Sequence, residues 1–153
     1  MTDLALHWNA STFTGDIVLQ DGALAIDDGM RTAIFLSLFT DARAPDDAEL
    51  PEQGADRRGW WGNGFAADGL SSRHEEVGSL LWLLRRSKVT NATLALAKTY
   101  ATAALQWLVT DRVARSVLVE VEAQGNVLAI GVTLDRPTGP ARQRYDFTWD
   151  ASL

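Results

Sequence analysis

The sequence offers few side chains whose type and spacing could do chemistry. Its histidines are His7 and His74. Neither has a second histidine or a carboxylate at a metal-binding spacing such as HExxH. His74 is followed by Glu75 and Glu76, but adjacent residues on a chain point apart, and the three read as a solvated polar turn. The chain has no cysteine, which removes a thiol nucleophile, a thiolate metal site and a disulfide scaffold together. The glycines at 59, 62 and 64 match neither a phosphate-binding loop nor a GxGxxG fingerprint, and no GxSxG elbow occurs. Glycoside hydrolysis needs two acids ~5 to 9.5 Å apart across a cleft, in environments that separate their roles. Acids are plentiful, but none stands in a recognisable setting of that kind. A cell-wall hydrolase is therefore kept as an alternative function.

A different chemistry, that of binding, is suggested by residues 57 to 65, RRGWWGNGF. Arg57 and Arg58 precede Trp60 and Trp61, and tryptophan and arginine dominate interface hot spots. Gly59 and Gly62 allow close backbone approach. Two adjacent indoles do not fit one pocket, so one ring is expected to point inward and the other toward a neighbour. The competing reading has a loop tryptophan folding back to plug a small satellite core. A second basic corner, Arg85 and Arg86, ends the run SLLWLLRR (79 to 86).

The rest of the chain must position these residues. It has 153 residues, the size of one domain spanning 1–153, and is 46% hydrophobic and 22% charged, as globular proteins are. A chain of this length buries roughly two thirds of its unfolded surface and needs no staple. The net charge of -6 repels phosphate backbones, so no nucleic-acid partner is expected. MTDLALHWNA shows neither a basic n-region nor an apolar h-region, and the longest strongly apolar run, AIFLSLF (33 to 39), falls far short of the ~20 residues that span a bilayer. The expectation is a soluble protein made in the cytoplasm, without a membrane partner.

IVLQDGALAI (17 to 26) predicts a hairpin turning at Asp21-Gly22. A helix follows from about Gly29 to Thr40, capped by Asp27 or Asp28. It is apolar nearly all round and so must be covered nearly all round, by this chain or by another subunit. Residues 41 to 56, DARAPDDAELPEQGAD, predict an acidic, mobile loop, and SLLWLLRR a short helix or helical turn. Thr90 or Asn91 caps a second long helix running to about Val109. One row on it is Leu94, Ala97, Ala101, Leu105 and Leu108; beside it lies Leu96, Tyr100, Ala103 and Trp107. Together they span roughly 200° of the helix, so the aromatic row needs a second neighbour beyond one sheet face. Three alternating strands close the chain: VLVEVE, then Leu128, Ile130, Val132 and Leu134, then RYDFTWD. They predict an antiparallel meander with one acidic, solvated face. Helices before strands, with no βαβ alternation, predict an α+β fold.

Taken in order, GDIVLQDGALAIDDG, LSLFTDARA, RRGWWGN, GSLLWLLRRSK, AALQWLV and the valine-rich sheet resemble the Mu-like phage baseplate protein 46 family. This family belongs to the wider group of wedge, or sheath-initiator, proteins of contractile tails. RGWWG (58 to 62) and LWLLRR (81 to 86) are the most specific parts, and the resemblance spans almost the whole chain. It implies a virion component of the tail baseplate, with no catalytic activity and no cofactor. Such a protein packs against larger wedge subunits around a sixfold hub and presents a sheet edge to the tail sheath protein, which the open edges of a meander permit. The candidate partner-binding residues are Arg57, Arg58, Trp60, Trp61, Arg85, Arg86 and Arg112. Arg112 enters because many members of the wider group carry an acid-Pro-Arg tripeptide between the long helix and the sheet. Here Asp111-Arg112 has no proline, and if wedge assembly needs that tripeptide the contact is made differently. A transient assembly factor is a further alternative.

Overall fold

The computed structural model describes residues 3–9, 12, 14–27, 29–52, 54, 56–63, 76–139 and 141–150. His74 and Glu75 lie outside them, as does Asp28, one of the two expected helix caps. The chain opens with six short strands: β1 (Asp3–Leu4), β2 (Leu6–Asn9), β3 (Thr14–Ile17), β4 (Leu19–Gln20), β5 (Ala23–Leu24) and β6 (Ile26–Asp27). They form three antiparallel ribbons, β1 with β6, β2 with β3 and β4 with β5. The ribbons meet where three backbones bond in a ring. Ala5 N–H donates to Ala25 O at 2.9 Å, Ala25 N–H to Val18 O at 2.8 Å, and Val18 N–H to Ala5 O at 3.4 Å. The pairing is thus wider than one hairpin over 17–26. Asp21 and Gly22 do turn the chain there, at φ 52° and 79°, the left-handed pair that suits a two-residue turn.

Helix α1 (Arg31–Phe39) follows. Met30 holds the capping position, but the Asp27 carboxylate does the capping work, accepting from Gly29 N–H at 2.9 Å and Thr32 N–H at 2.7 Å. Ile34, Phe35 and Leu38 are buried, and only Arg31 and Leu36 are exposed. The all-round apolar helix is therefore covered largely from within the chain. A 3₁₀ turn (Leu81–Leu84) stands where the sequence predicts a short helical element.

Helix α2 (Asn91–Ala104) is capped by Thr90, whose hydroxyl accepts from Thr93 N–H at 3.2 Å. It does not run unbroken to Val109. The N–H groups of Leu105, Gln106 and Leu108 bond three residues back, a tighter 3₁₀ pattern, and the chain resumes as α3 (Trp107–Thr110). The buried row survives this break, with Ala97, Ala101, Leu105 and Leu108 wholly enclosed. Each such leucine contributes about 1.5–3 kcal/mol of burial.

Strands β7 (Ser116–Gln124), β8 (Val127–Asp135) and β9 (Arg142–Asp150) form an antiparallel sheet of that order. Register aligns Val119 with Val132 and Tyr145, Val121 with Ile130 and Phe147, and Ala123 with Leu128 and Trp149. Apart from the exposed Ala123, these rows build the core with α1 and α2. On the outer face Gly131 sits between Glu120 and Asp146. Arg144 crosses it to bond Glu120 at 2.6 Å and Asp146 at 2.9 Å. A Cβ at residue 131 would collide with that guanidinium. The bond to Asp146, then that to Glu120, raises the Arg144 pKa above its ordinary value. The architecture is α+β: N-terminal strands, two main helices and a C-terminal antiparallel sheet.

Candidate interaction surfaces

The segment before the tryptophans is a clamp. Arg57 donates to the carbonyls of Pro45, Asp46 and Ala48, the second at 2.6 Å and the third at 3.4 Å. Ala44 N–H donates back to Arg57 O at 2.9 Å. Glu52 pairs with Arg86 at 3.1 Å. The acidic stretch expected to be mobile is thus folded back and tied by two arginines. Arg58 is equally committed. Its guanidinium bonds Asp41 at 2.6 Å and lies 4.6 Å from the centre of the Trp82 ring, a cation–π contact worth about 0.5–2 kcal/mol. Trp82 is buried and donates to Ala42 O at 2.8 Å. Asp41 also bridges to Ser79 across a short parallel contact. There Gly78, at φ 118°, leaves no room for a Cβ, which would lie 2.5 Å from Thr40 O.

This frame launches the tryptophans. Arg58 and Gly59 take φ of 55° and 113°, a reversal that the glycine makes cheap. Trp60 and Trp61 follow, 41% and 76% exposed, their ring centres 5.7 Å apart. The expected split between an inward and an outward ring is not what the structure shows. Trp60 folds over Gly62, where a Cβ would meet its ring, and Trp61 extends further out. Asn63 N–H closes the turn on Trp60 O at 3.0 Å, and the Asn63 side chain accepts from Val77 N–H at 3.2 Å. Of the motif tryptophans, the one that plugs the interior is Trp82, from the second motif.

The candidate residues therefore separate. Arg57 and Arg58 hold the loop, Trp60 and Trp61 are displayed by it, and Arg86 leans across to Glu52. Arg85 is half-buried and lines a cleft with Phe35, Phe39 and Trp149. Arg112 stands apart in the turn from α3 to β7, at φ 60°.

A second surface lies where the aromatic row of α2 lacks cover. A groove of about 490 Å³ runs between α1 and α2, lined by Leu36, Val77, Tyr100, Ala103 and Trp107 among others. Trp107 reaches its wall, donating to Ser37 Oγ at 3.0 Å. The sequence exposed half of this groove through the row Leu96, Tyr100, Ala103 and Trp107; the contribution of Leu36 and Val77 required the fold. A cluster the sequence reading missed is the set of exposed aliphatic residues on β1 to β6. Alternation of Leu and Ile around residues 4 to 26 was the available signal.

No group of three or more His, Cys, Asp or Glu that could hold a metal occurs among the described residues. Of the acids lining the cleft on the outer sheet face, Glu120 and Asp146 are bridged by Arg144. Both carboxylates are thus engaged by one guanidinium. No helix among the described residues is long and apolar enough to cross a membrane.

The family model described as Phage protein GP46 matches residues 30–141. The chain belongs to that family. The resemblance read from its motifs is thereby borne out. The baseplate protein gp46 of Escherichia phage Mu is 47% identical over 111 residues, 72% of this chain and 70% of the relative. The Mu-like prophage FluMu protein gp46 of Haemophilus influenzae is 39% identical over 145 residues, 94% of each chain. No solved structure matches. The GP46 segment takes in the arginine clamp, the tryptophan turn, both main helices and strands β7 and β8, and it ends just before β9. The ribbons β1 to β6 precede it.

Proposed function

We propose that this GP46 protein is a non-enzymatic structural component of a phage tail baseplate, carried in the virion after synthesis in the host cytoplasm. Its work is contact. The observation that carries this reading is the tryptophan turn: two adjacent indoles, both substantially exposed, on a backbone fastened by Arg57, Arg58 and Asn63. Ordering a rigid aromatic knob in advance lowers the entropy lost on association, and exposed tryptophans are costly unless covered.

In this reading the larger wedge subunits of a contractile tail cover Trp60 and Trp61, with Arg85 and Arg86 as further contacts and Arg112, which stands apart, as a separate one. The sheath protein adds a strand to β7 or β9, the outer strands of the C-terminal sheet. The protein is then part of a sixfold assembly, as the family resemblance implies.

Co-expression with a candidate wedge subunit tests this. Trp60→Ala with Trp61→Ala should weaken co-purification by at least about tenfold, the scale of a hot-spot loss, while the melting temperature of the isolated protein stays close to wild type. Undiminished assembly by the double variant would remove the loop from the interface.

A further inference from the structure

The groove between α1 and α2 has apolar walls. Ala33 and Leu36 line it from α1, and Ala103, Ala104 and Trp107 from α2, around a volume of about 490 Å³. Leu36 is 42% exposed, on a helix that is otherwise largely covered. The polar atoms of the wall are satisfied from within. Trp107 Nε1 donates to Ser37 Oγ at 3.0 Å, and Ser37 Oγ donates to Ala33 O at 2.8 Å. Residues 76–80 also line the groove, and there Val77 N–H donates to the Asn63 side chain and Ser79 N–H to Thr40 O. Helical walls and spent donors leave side chains, rather than strand addition, to hold an occupant. A helix laid between two helices is held in that way, and the alanines of both walls let its backbone come close.

Charge narrows the occupant further. Among the described residues, the charged side chains lining the groove are Asp3 and Glu76. Both are exposed, and no ion pair among the described residues engages either. The register also sets Asp3 directly opposite Asp27, and like charges so placed repel. Asp27 accepts from the N–H groups that begin α1, whereas Asp3 accepts only from Leu4 N–H. A lysine or arginine beside the apolar stripe of an incoming helix answers both Asp3 and Glu76. A second copy fits poorly, because each chain carries a net charge of -6 and copies repel. The groove also adjoins the tryptophan turn. Val77 lines it, and the Asn63 that Val77 N–H bonds at 3.2 Å is the residue that closes the turn on Trp60 O.

We infer that the groove between α1 and α2 receives an amphipathic helix bearing lysine or arginine, from the same protein that covers Trp60 and Trp61. The inference rests on the baseplate reading, which supplies that protein.

The test is photocrosslinking from the rim of the groove. Leu96 is exposed one turn before Tyr100, and the chain has no cysteine, so a maleimide benzophenone on Leu96→Cys reports from that place alone. The labelled full chain is assembled with the co-expressed tail proteins of the same phage and illuminated. The crosslinked peptide should read as an amphipathic helix with lysine or arginine beside its apolar stripe. It should belong to the protein that Trp60→Ala with Trp61→Ala loses. Ala103→Trp, which fills the groove from an exposed position, should lower the crosslink by about tenfold or more with the melting temperature unchanged. Asp3→Lys with Glu76→Lys should lower it at low salt, the difference closing near ~0.5 M salt, where exposed charges are screened. A crosslink confined to a second copy, to a segment without a basic residue, or to a protein the tryptophan pair does not lose overturns the inference. Assembly with no crosslink, or with crosslinking undiminished in both variants, overturns it too and leaves the baseplate reading standing on the tryptophans. Wild-type chain absent from every assembly overturns both.

Discussion

The two β regions of this protein use the same alternating aliphatic code and reach opposite ends. In β7 to β9, nine-residue strands stack their inward side chains into rows, and α1 and α2 lie across them. In β1 to β6, strands of two to four residues carry equally apolar pairs, and only Leu6 among these meets the core. Alternation marks a face that can be buried. Whether it is buried depends on a second layer, and the N-terminal ribbons have none among the described residues. They are tied to the body mainly through Thr32, whose hydroxyl accepts from Leu6 N–H at 3.2 Å and donates to Leu4 O at 3.0 Å. One region is therefore held by its own packing, and the other is left displayed.

That contrast can be broken by substitution. The largest effect should fall in the covered region. Leu105→Ala removes a fully enclosed side chain between α2 and the sheet and should cost about 2–5 kcal/mol in denaturant unfolding; a loss below ~1 kcal/mol would mean that the core collapses around the gap. Next comes the seam beside the tryptophan turn. Gly78→Ala puts a methyl group against Thr40 O at a backbone angle that disfavours it, and should cost about 1–3 kcal/mol. Unchanged stability there would show that the 40–42 and 78–79 strands separate freely. The smallest effect belongs to the ribbons. Leu19→Ser in the isolated protein should move unfolding by no more than ~0.5 kcal/mol. A core-sized loss at Leu19 would erase the distinction between the regions.

Much of the fold was legible because periodicity is local. The inward positions Val119, Ile130 and Phe147 follow from strict alternation, Thr90 from its place before a helical pattern, and the Asp21-Gly22 turn from the backbone angles those residues tolerate. The motif residues were legible as a set, but their roles were not. Arg57 and Arg58 look like binding groups in RRGWWG; their ties to carbonyls and to Asp41, 9 to 17 residues away, show only in the fold. The break at Leu105 was also hidden, since no glycine or proline marks it.

Sequence alone determined the family, the α+β class, the lack of cysteine chemistry and the faces that could be apolar, because each depends on residue types or on short-range periodicity. Tertiary structure decided which of those faces found cover. It placed Trp82 inside and Trp60 and Trp61 outside, although all three sit in comparable aromatic motifs. Burial is a property of what lies opposite a side chain, and that neighbour comes from a distant part of the chain.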